Sequence, residues 1–169
     1  MKRCTFLLFF SLTLLISCNQ KTSKTDNTVI EIAELLEIAD KNIGNEFTLL
    51  GTVSHVCSHS GRRCFIIDST GDFSIRIEAA GEINNFGREL MGNTIKVIGL
   101  VQETRLSAAE IDEWEKDIAS EESSHAESDG EHCSAEMANI NRMREWMKEH
   151  GRDYYSIYYF EGQSYEVVD

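Results

Sequence analysis

The chain has no proline, and its 16 lysines and arginines are outnumbered by 29 aspartates and glutamates, for a formal net charge of -13. Without proline, turns have to be read from glycine, asparagine, aspartate and serine. The shortage of positive charge excludes electrostatic capture of nucleic acid or of anionic lipid head groups, and suits cations or basic partners better. Also missing are a glycine-rich phosphate loop, a nucleophile elbow and a Cys-x-x-Cys pair, so no catalytic motif recommends an enzyme. No apolar run approaches the roughly 20 residues that span a bilayer as a helix. The run Phe6–Ile16 has 11 residues and is interrupted by Ser11 and Thr13.

That run follows Lys2 and Arg3 and leads into Leu15-Ile16-Ser17-Cys18. A charged start, a short apolar stretch and a small residue before a cut are the parts of an export signal. Cysteine after Leu-Ile-Ser resembles the lipobox of bacterial lipoproteins, in which the thiol is acylated and the chain is cut in front of it. The resemblance implies a signal peptide at 1–17, palmitate-type lipidation of Cys18, and a body held in the cell envelope on a membrane, the outer one, of a diderm bacterium. An ordinary secretory signal that happens to contain a cysteine is the alternative. Two acyl chains would make the attachment stable where one is marginal. Cleavage takes away Lys2 and Arg3 and no acidic residue, which moves the formal charge from -13 to -15. Residues 18–28, rich in Thr, Asn, Ser and Lys, read as a flexible tether. Residues 29–169 then form one domain.

Within it, Val29–Ala39 has Ile30, Ile32, Leu35, Leu36 and Ala39 at helical spacing against Glu31, Glu34 and Glu37, which predicts a short amphipathic helix. From Phe47 the period is two. Phe47, Leu49, Gly51, Val53, His55 and Cys57 share one face, Ser58–Arg63 is a hairpin loop, and Cys64–Asp68 is the return strand. A third strand carries Phe73, Ile75, Ile77 and Ala79 inward. Glu82–Leu90 is a connector with one or two helical turns, and Thr94–Val101 is a fourth strand. A fifth lies in Tyr154–Phe160, with Tyr165–Val168 as its continuation or hairpin partner. Between the fourth and fifth, residues 107–151 hold two segments of helical period, Ile111, Trp114, Ile118 and Met137, Ile140, Met143, Met147. They predict an αα-hairpin whose polar tip, about 120–131, is disordered.

Three meandering strands, an irregular link and a fourth strand resemble the five-stranded OB-fold barrel, on Gly51-Thr52-Val53, Phe65-Ile66-Ile67-Asp68, the strand after Gly71 and Ile95–Val101. The expected class is mainly β, an OB-fold-like barrel with an N-terminal helix and an αα-hairpin inserted before the last strand. Together with the lipobox this resembles the OB-fold lipoproteins of diderm bacteria, which supplies no activity. The implied role is a non-enzymatic, membrane-tethered module that binds a protein, a small ligand or an ion, without nucleic acid and without a cofactor.

The alternative is metal binding or thiol redox chemistry. His55, Cys57, His59 and Cys64 are the donors of a tetrahedral zinc site, and sulfur also suits copper(I). Spacing two apart on a strand is not that of zinc knuckles, however. A Cys57–Cys64 disulfide across the hairpin, with His55 in the core and His59 solvated, is the competing account in an oxidising compartment. After lipidation of Cys18 this leaves Cys133 unassigned, next to His132 and seven residues after His125. These sit in a stretch, 107–136, with 11 acidic residues and Lys116 as the one basic residue. A solvated acidic loop accounts for that stretch as readily as loose recruitment of divalent or copper ions. Finally, His150-Gly-Arg-Asp-Tyr154 has a His-x-x-x-Tyr spacing that resembles the haem-handling motif of the periplasmic OB-fold haem chaperone. A helix C-cap explains His150-Gly151 without a ligand.

Overall fold

The alternation of Ser74–Ala79 is realised strictly: Ile75, Ile77 and Ala79 are buried while Ser74, Arg76 and Glu78 face outward. The same rule organises β3 and the first half of β5 in the computed structural model, which describes residues 28–124 and 130–168, the side chains of 121–134 excepted. The signal peptide, Cys18 and the tether up to residue 27, together with the side chains of His125, His132 and Cys133, lie outside the described residues.

In chain order the elements are β1 (Val29–Ile30), α1 (Ile32–Ile38), β2 (Glu46–Val56), β3 (Arg63–Ile67), β4 (Ser74–Ala79), β5 (Thr94–Ser107), α2 (Ala108–Ser124), α3 (Gly130–His150) and β6 (Tyr154–Val168). β2, β3 and β4 meander, β4 pairs in parallel with β6, β6 pairs antiparallel with β5, and β5 returns to β2. The circuit closes a five-stranded barrel of OB-fold-like order, mainly β, with the helical hairpin inserted before the last strand. Over these pairings closure leaves no unpaired edge among the strands.

Phe160, Leu49, Ile66, Ile77, Ile95 and Val97 fill the interior with essentially no exposure, and Ile32, Leu35 and Ala39 of the α1 segment add to the same core. Burying a side chain such as Phe160 stabilises by about 1.5–3 kcal/mol. The ring needs room, which Gly99 of β5 supplies, since a Cβ there would lie 2.7 Å from Phe160 Cε1. The register slips between Ile98 and Gly99, where Gly99 faces Gly162, and a Cβ on Gly162 would lie 2.9 Å from Ile77 Cγ2.

Several expectations are corrected. Val29 and Ile30 are not helical but form a two-residue strand beside Thr48 and Leu49, which shortens the first helix. Phe73 stands outside β4 and is 44% exposed, because Asp68 turns the chain there by accepting from the amides of Gly71 and Phe73. The 82–90 connector holds a single 3₁₀ turn at Arg88–Leu90. β5 runs six residues beyond Val101, while of the two readings of Tyr165–Val168 the continuation of the last strand is the one observed. Residues Gln102–Ser107 and Tyr154–Tyr159 therefore form a two-stranded ribbon past the last β2–β5 pair, Glu46 with Leu100.

The ribbon carries the helices. Ser107 and Glu110 form a reciprocal capping box, the Ser107 amide donating to Glu110 Oε2 at 2.8 Å and the Glu110 amide to Ser107 Oγ at 3.3 Å. α3 ends on Gly151, with φ +61°, where the Arg152 amide reaches back to the Met147 carbonyl at 2.9 Å. Part of the stretch expected to be disordered is helical, up to Ser124 and from Gly130, while 125–129 lie outside the described residues.

Candidate functional site

The inward face expected for β2 breaks at a bulge. Thr52 and Val53 pair with Ile67 and Ile66, but the next pair is His55 with Phe65, so Ser54 is an extra residue. One added residue reverses every side chain after it. Val56 turns into the core, while His55 becomes exposed and Cys57 half-exposed. The core placement of His55 is thereby overturned.

So is the facing of Cys57 and Cys64. Cys64 sits opposite Val56 and points inward with no exposure, and both thiols are free. Burial pushes the Cys64 thiol up to about 12. Cys57 is held below the ordinary thiol range, chiefly by the backbone N–H of His59, then that of Ser60, with the Ser60 hydroxyl and Arg63 adding to it. His55, Cys57, His59 and Cys64 are thus not gathered around one point, and the described residues contain no cluster of three or more His, Cys, Asp or Glu able to hold a metal. His59 stays in the exposed loop beside Ser58. His150 stacks on Trp146 at 4.0 Å, and the Tyr154 ring lies under the guanidinium groups of Arg105 at 4.4 Å and Arg152 at 5.5 Å.

What the bulge does create is a row across the outside of the barrel. His55 pairs with Phe65, their rings 6.1 Å apart, and Phe65 pairs with Arg76. The Arg76 guanidinium lies 4.7 Å from the Tyr159 ring, and Tyr159 pairs with Gln102. Traced through β2, β3, β4, β6 and β5, these pairs go once round the closed barrel, so the row winds about it, and His55, Phe65 and Arg76 are the part that three neighbouring strands present side by side.

Beside it runs a polar row, Arg63 paired with Glu78 and Glu78 with Glu161. Glu78 Oε1 is 3.2 Å from Arg63 Nε and 3.3 Å from Arg76 Nε. Glu161 accepts from Gln102 at 3.2 Å and from Gln163 at 3.1 Å. Both carboxylates are held in fixed orientations. At the Arg63–Glu78 end the surface opens into a cleft of about 320 Å³ walled also by Cys57, Ser60, Arg62 and Ala79. Arg62 donates to the Ala79 carbonyl at 2.9 Å and so forms a fixed side of the cleft.

A second polar cluster joins the barrel to the arm. Arg152 donates to both oxygens of Asp40, at 2.7 and 2.8 Å, and to Ser156 Oγ at 3.3 Å. Ser156 donates to Glu103 at 2.6 Å, and Glu103 also meets Arg105 at 2.9 Å. The Arg152 hydrogen bond, more than any other contact, holds the Asp40 carboxyl below its ordinary range.

No family model and no curated protein matches the chain. Among solved structures, a chain from Leishmania major Friedlin described as an aspartyl-tRNA synthetase is similar over 51% of this chain and 18% of its own length, with 18% identity and a TM-score of 0.34. This protein thus spans less than a fifth of that one.

Proposed function

We propose that the protein is a cell-envelope lipoprotein, anchored through Cys18, whose barrel is a non-enzymatic binding module. The observation that carries the binding half is the group His55, Phe65, Arg76 and Tyr159, flat side chains set on successive neighbouring strands on the outside of a closed barrel. Barrels of this order take elongated ligands on the corresponding strands and at the loop that here holds Cys57. Fold alone does not assign a ligand. The described residues include no helix long and apolar enough to cross a membrane. The anchor rests on Leu15-Ile16-Ser17-Cys18 and on two-chain acylation. Nucleic acid is a poor fit at a formal charge of -13.

Alkynyl-palmitate labelling of expressing cells, followed by membrane fractionation, tests the anchoring. The wild type is expected to label and to stay with membranes, and Cys18→Ser to lose both properties. Equal labelling of the two, or none of either, would contradict the anchor.

A further inference from the structure

The circuit is closed along only part of β6. β4 accompanies it as far as the pair Ala79 and Gly162, and the amides of Ala80 and Glu82 then donate to the Gly162 and Gln163 carbonyls at 2.9 and 2.8 Å. Gly81, at φ +52°, lets the chain turn away there. From Ser164 to Val168, about 16 Å at the usual rise per residue, β6 pairs with Thr94–Ile98 of β5 on one side and with no backbone among the described residues on the other. The core face is open at the same place. Val167 pairs with Ile95 and Tyr165 with Val97, so both belong to the inward face, where Ile95 and Val97 are fully buried, yet Val167 is 49% exposed. An unpaired edge beside an uncovered inward valine is what a missing neighbouring strand leaves. The space there is a second cleft of about 320 Å³, between Ser164 and Tyr165 on the strand and Glu82, Ile83, Asn84 and Asn85 on the loop opposite.

We infer that the Ser164–Val168 edge takes an extended segment of another protein as an added strand, apolar and basic in alternation. In strand addition the backbone pairing supplies affinity and the alternate side chains supply selectivity. The inward side chains of the added strand cover Val167 and continue the core face past Tyr165. Its outward side chains meet carboxylates. Glu82 is the one charged wall of the cleft, and Glu166 is the one charged residue of the open stretch, its side chain 65% exposed and 3.1 Å from Lys96. The other cations nearby are engaged: Arg62 donates to the Ala79 carbonyl, and Arg88 stands beside Glu89 in the turn after the loop. A second copy of this chain is a poor occupant, because it brings another Glu82, another Glu166 and a formal charge of -13 to the same edge. A basic segment meets attraction where that copy meets repulsion.

Amide shifts of the full-length, isotopically labelled chain in detergent are followed while the peptide acetyl-Lys-Val-Lys-Val-Lys-Val-Lys-amide is added. Shifts are expected at Ser164–Val168 and across Glu82–Asn85, with binding about tenfold weaker for Val167→Lys, which puts a charge on the edge, and kept by Val167→Ile. Glu82→Gln should weaken it about threefold. The same peptide N-methylated throughout, which has no backbone N–H to donate, and its counterpart with glutamate for lysine should both leave the spectrum unchanged. Circular dichroism checks that each variant is folded. Absence of shifts at the edge, or equal binding of either comparator peptide, overturns the inference. A wild-type dimer that Val167→Lys converts to monomer in sedimentation also overturns it, since a second copy is then the occupant. Peptide binding that needs Lys21→Glu together with Lys24→Glu does the same, since the chain's own residues 19–27 then hold the edge.

Discussion

The barrel and the helical arm are built on opposite plans. In the barrel every strand of the closed circuit has a paired neighbour on both sides, and the interior is continuous from Ile32 to Phe160. Among its described residues the arm buries Ile111, Ile118, Ile140 and Met147, with Trp114, Trp146, Met137, Met143 and Tyr155 half-covered around them. Its two helices are tied by Arg144, which meets Asp112 at 2.7 Å and Glu115 at 2.6 Å. Exposed ion pairs of this kind add little. The contrast teaches that the barrel is stabilised by closure, whereas the arm borrows stability from the ribbon and from the cluster around Arg152 and Glu103.

The largest effect should come from the barrel. Phe160→Ala is expected to cost about 3–5 kcal/mol and to lower the urea midpoint of the whole chain. Ile140→Ala removes a comparably buried side chain at about 2–5 kcal/mol, yet its damage should stay in the arm. Hydrogen exchange would show α2 and α3 losing protection while β2 to β4 keep theirs, and loss of protection in the barrel as well would break the distinction. Glu103→Ala, at a side chain 7% exposed, leaves Ser156 and Arg105 without their acceptor and should cost about 1–3 kcal/mol, detected as earlier melting of the arm.

The two cysteines sharpen the contrast between surface and core. Iodoacetamide should modify Cys57 in the folded chain, more slowly as pH falls below its lowered pKa, and Cys64 only after unfolding, as peptide mapping would show. Cys64 stays neutral when folded, so its contribution is fully present below the unfolded thiol's pKa near 9 and is lost as pH rises toward about 12. Urea midpoints measured across that window should fall less steeply in Cys64→Ala than in wild type. The smallest effect belongs to the outer row: Tyr159→Ala should change stability by less than about 0.5 kcal/mol, since the residue lies outside the core.

Much of the barrel is legible in the sequence because period two survives wherever one face is buried, as in Ile75, Ile77 and Ala79, and in Ile95, Val97 and Val101. The arm is legible from the helical spacing of Ile111 and Ile118 and of Ile140 and Met147. The site is not. Ser54 carries no local mark of a bulge, yet it decides that His55 and Cys57 face outward and that Cys64 does not face Cys57. The row itself joins residues from position 55 to position 159, and only strand register relates them. The same holds for Asp40 and Arg152, which are 112 residues apart in the chain.

The most direct test of the outer face as the binding surface is an amide correlation spectrum of the isotopically labelled protein, recorded with and without soluble cell-envelope extract. Shifts should concentrate at His55, Phe65, Arg76 and Tyr159, leave α2 and α3 in place, and vanish in Tyr159→Ala. Shifts confined to the arm, or unchanged by that substitution, would contradict it.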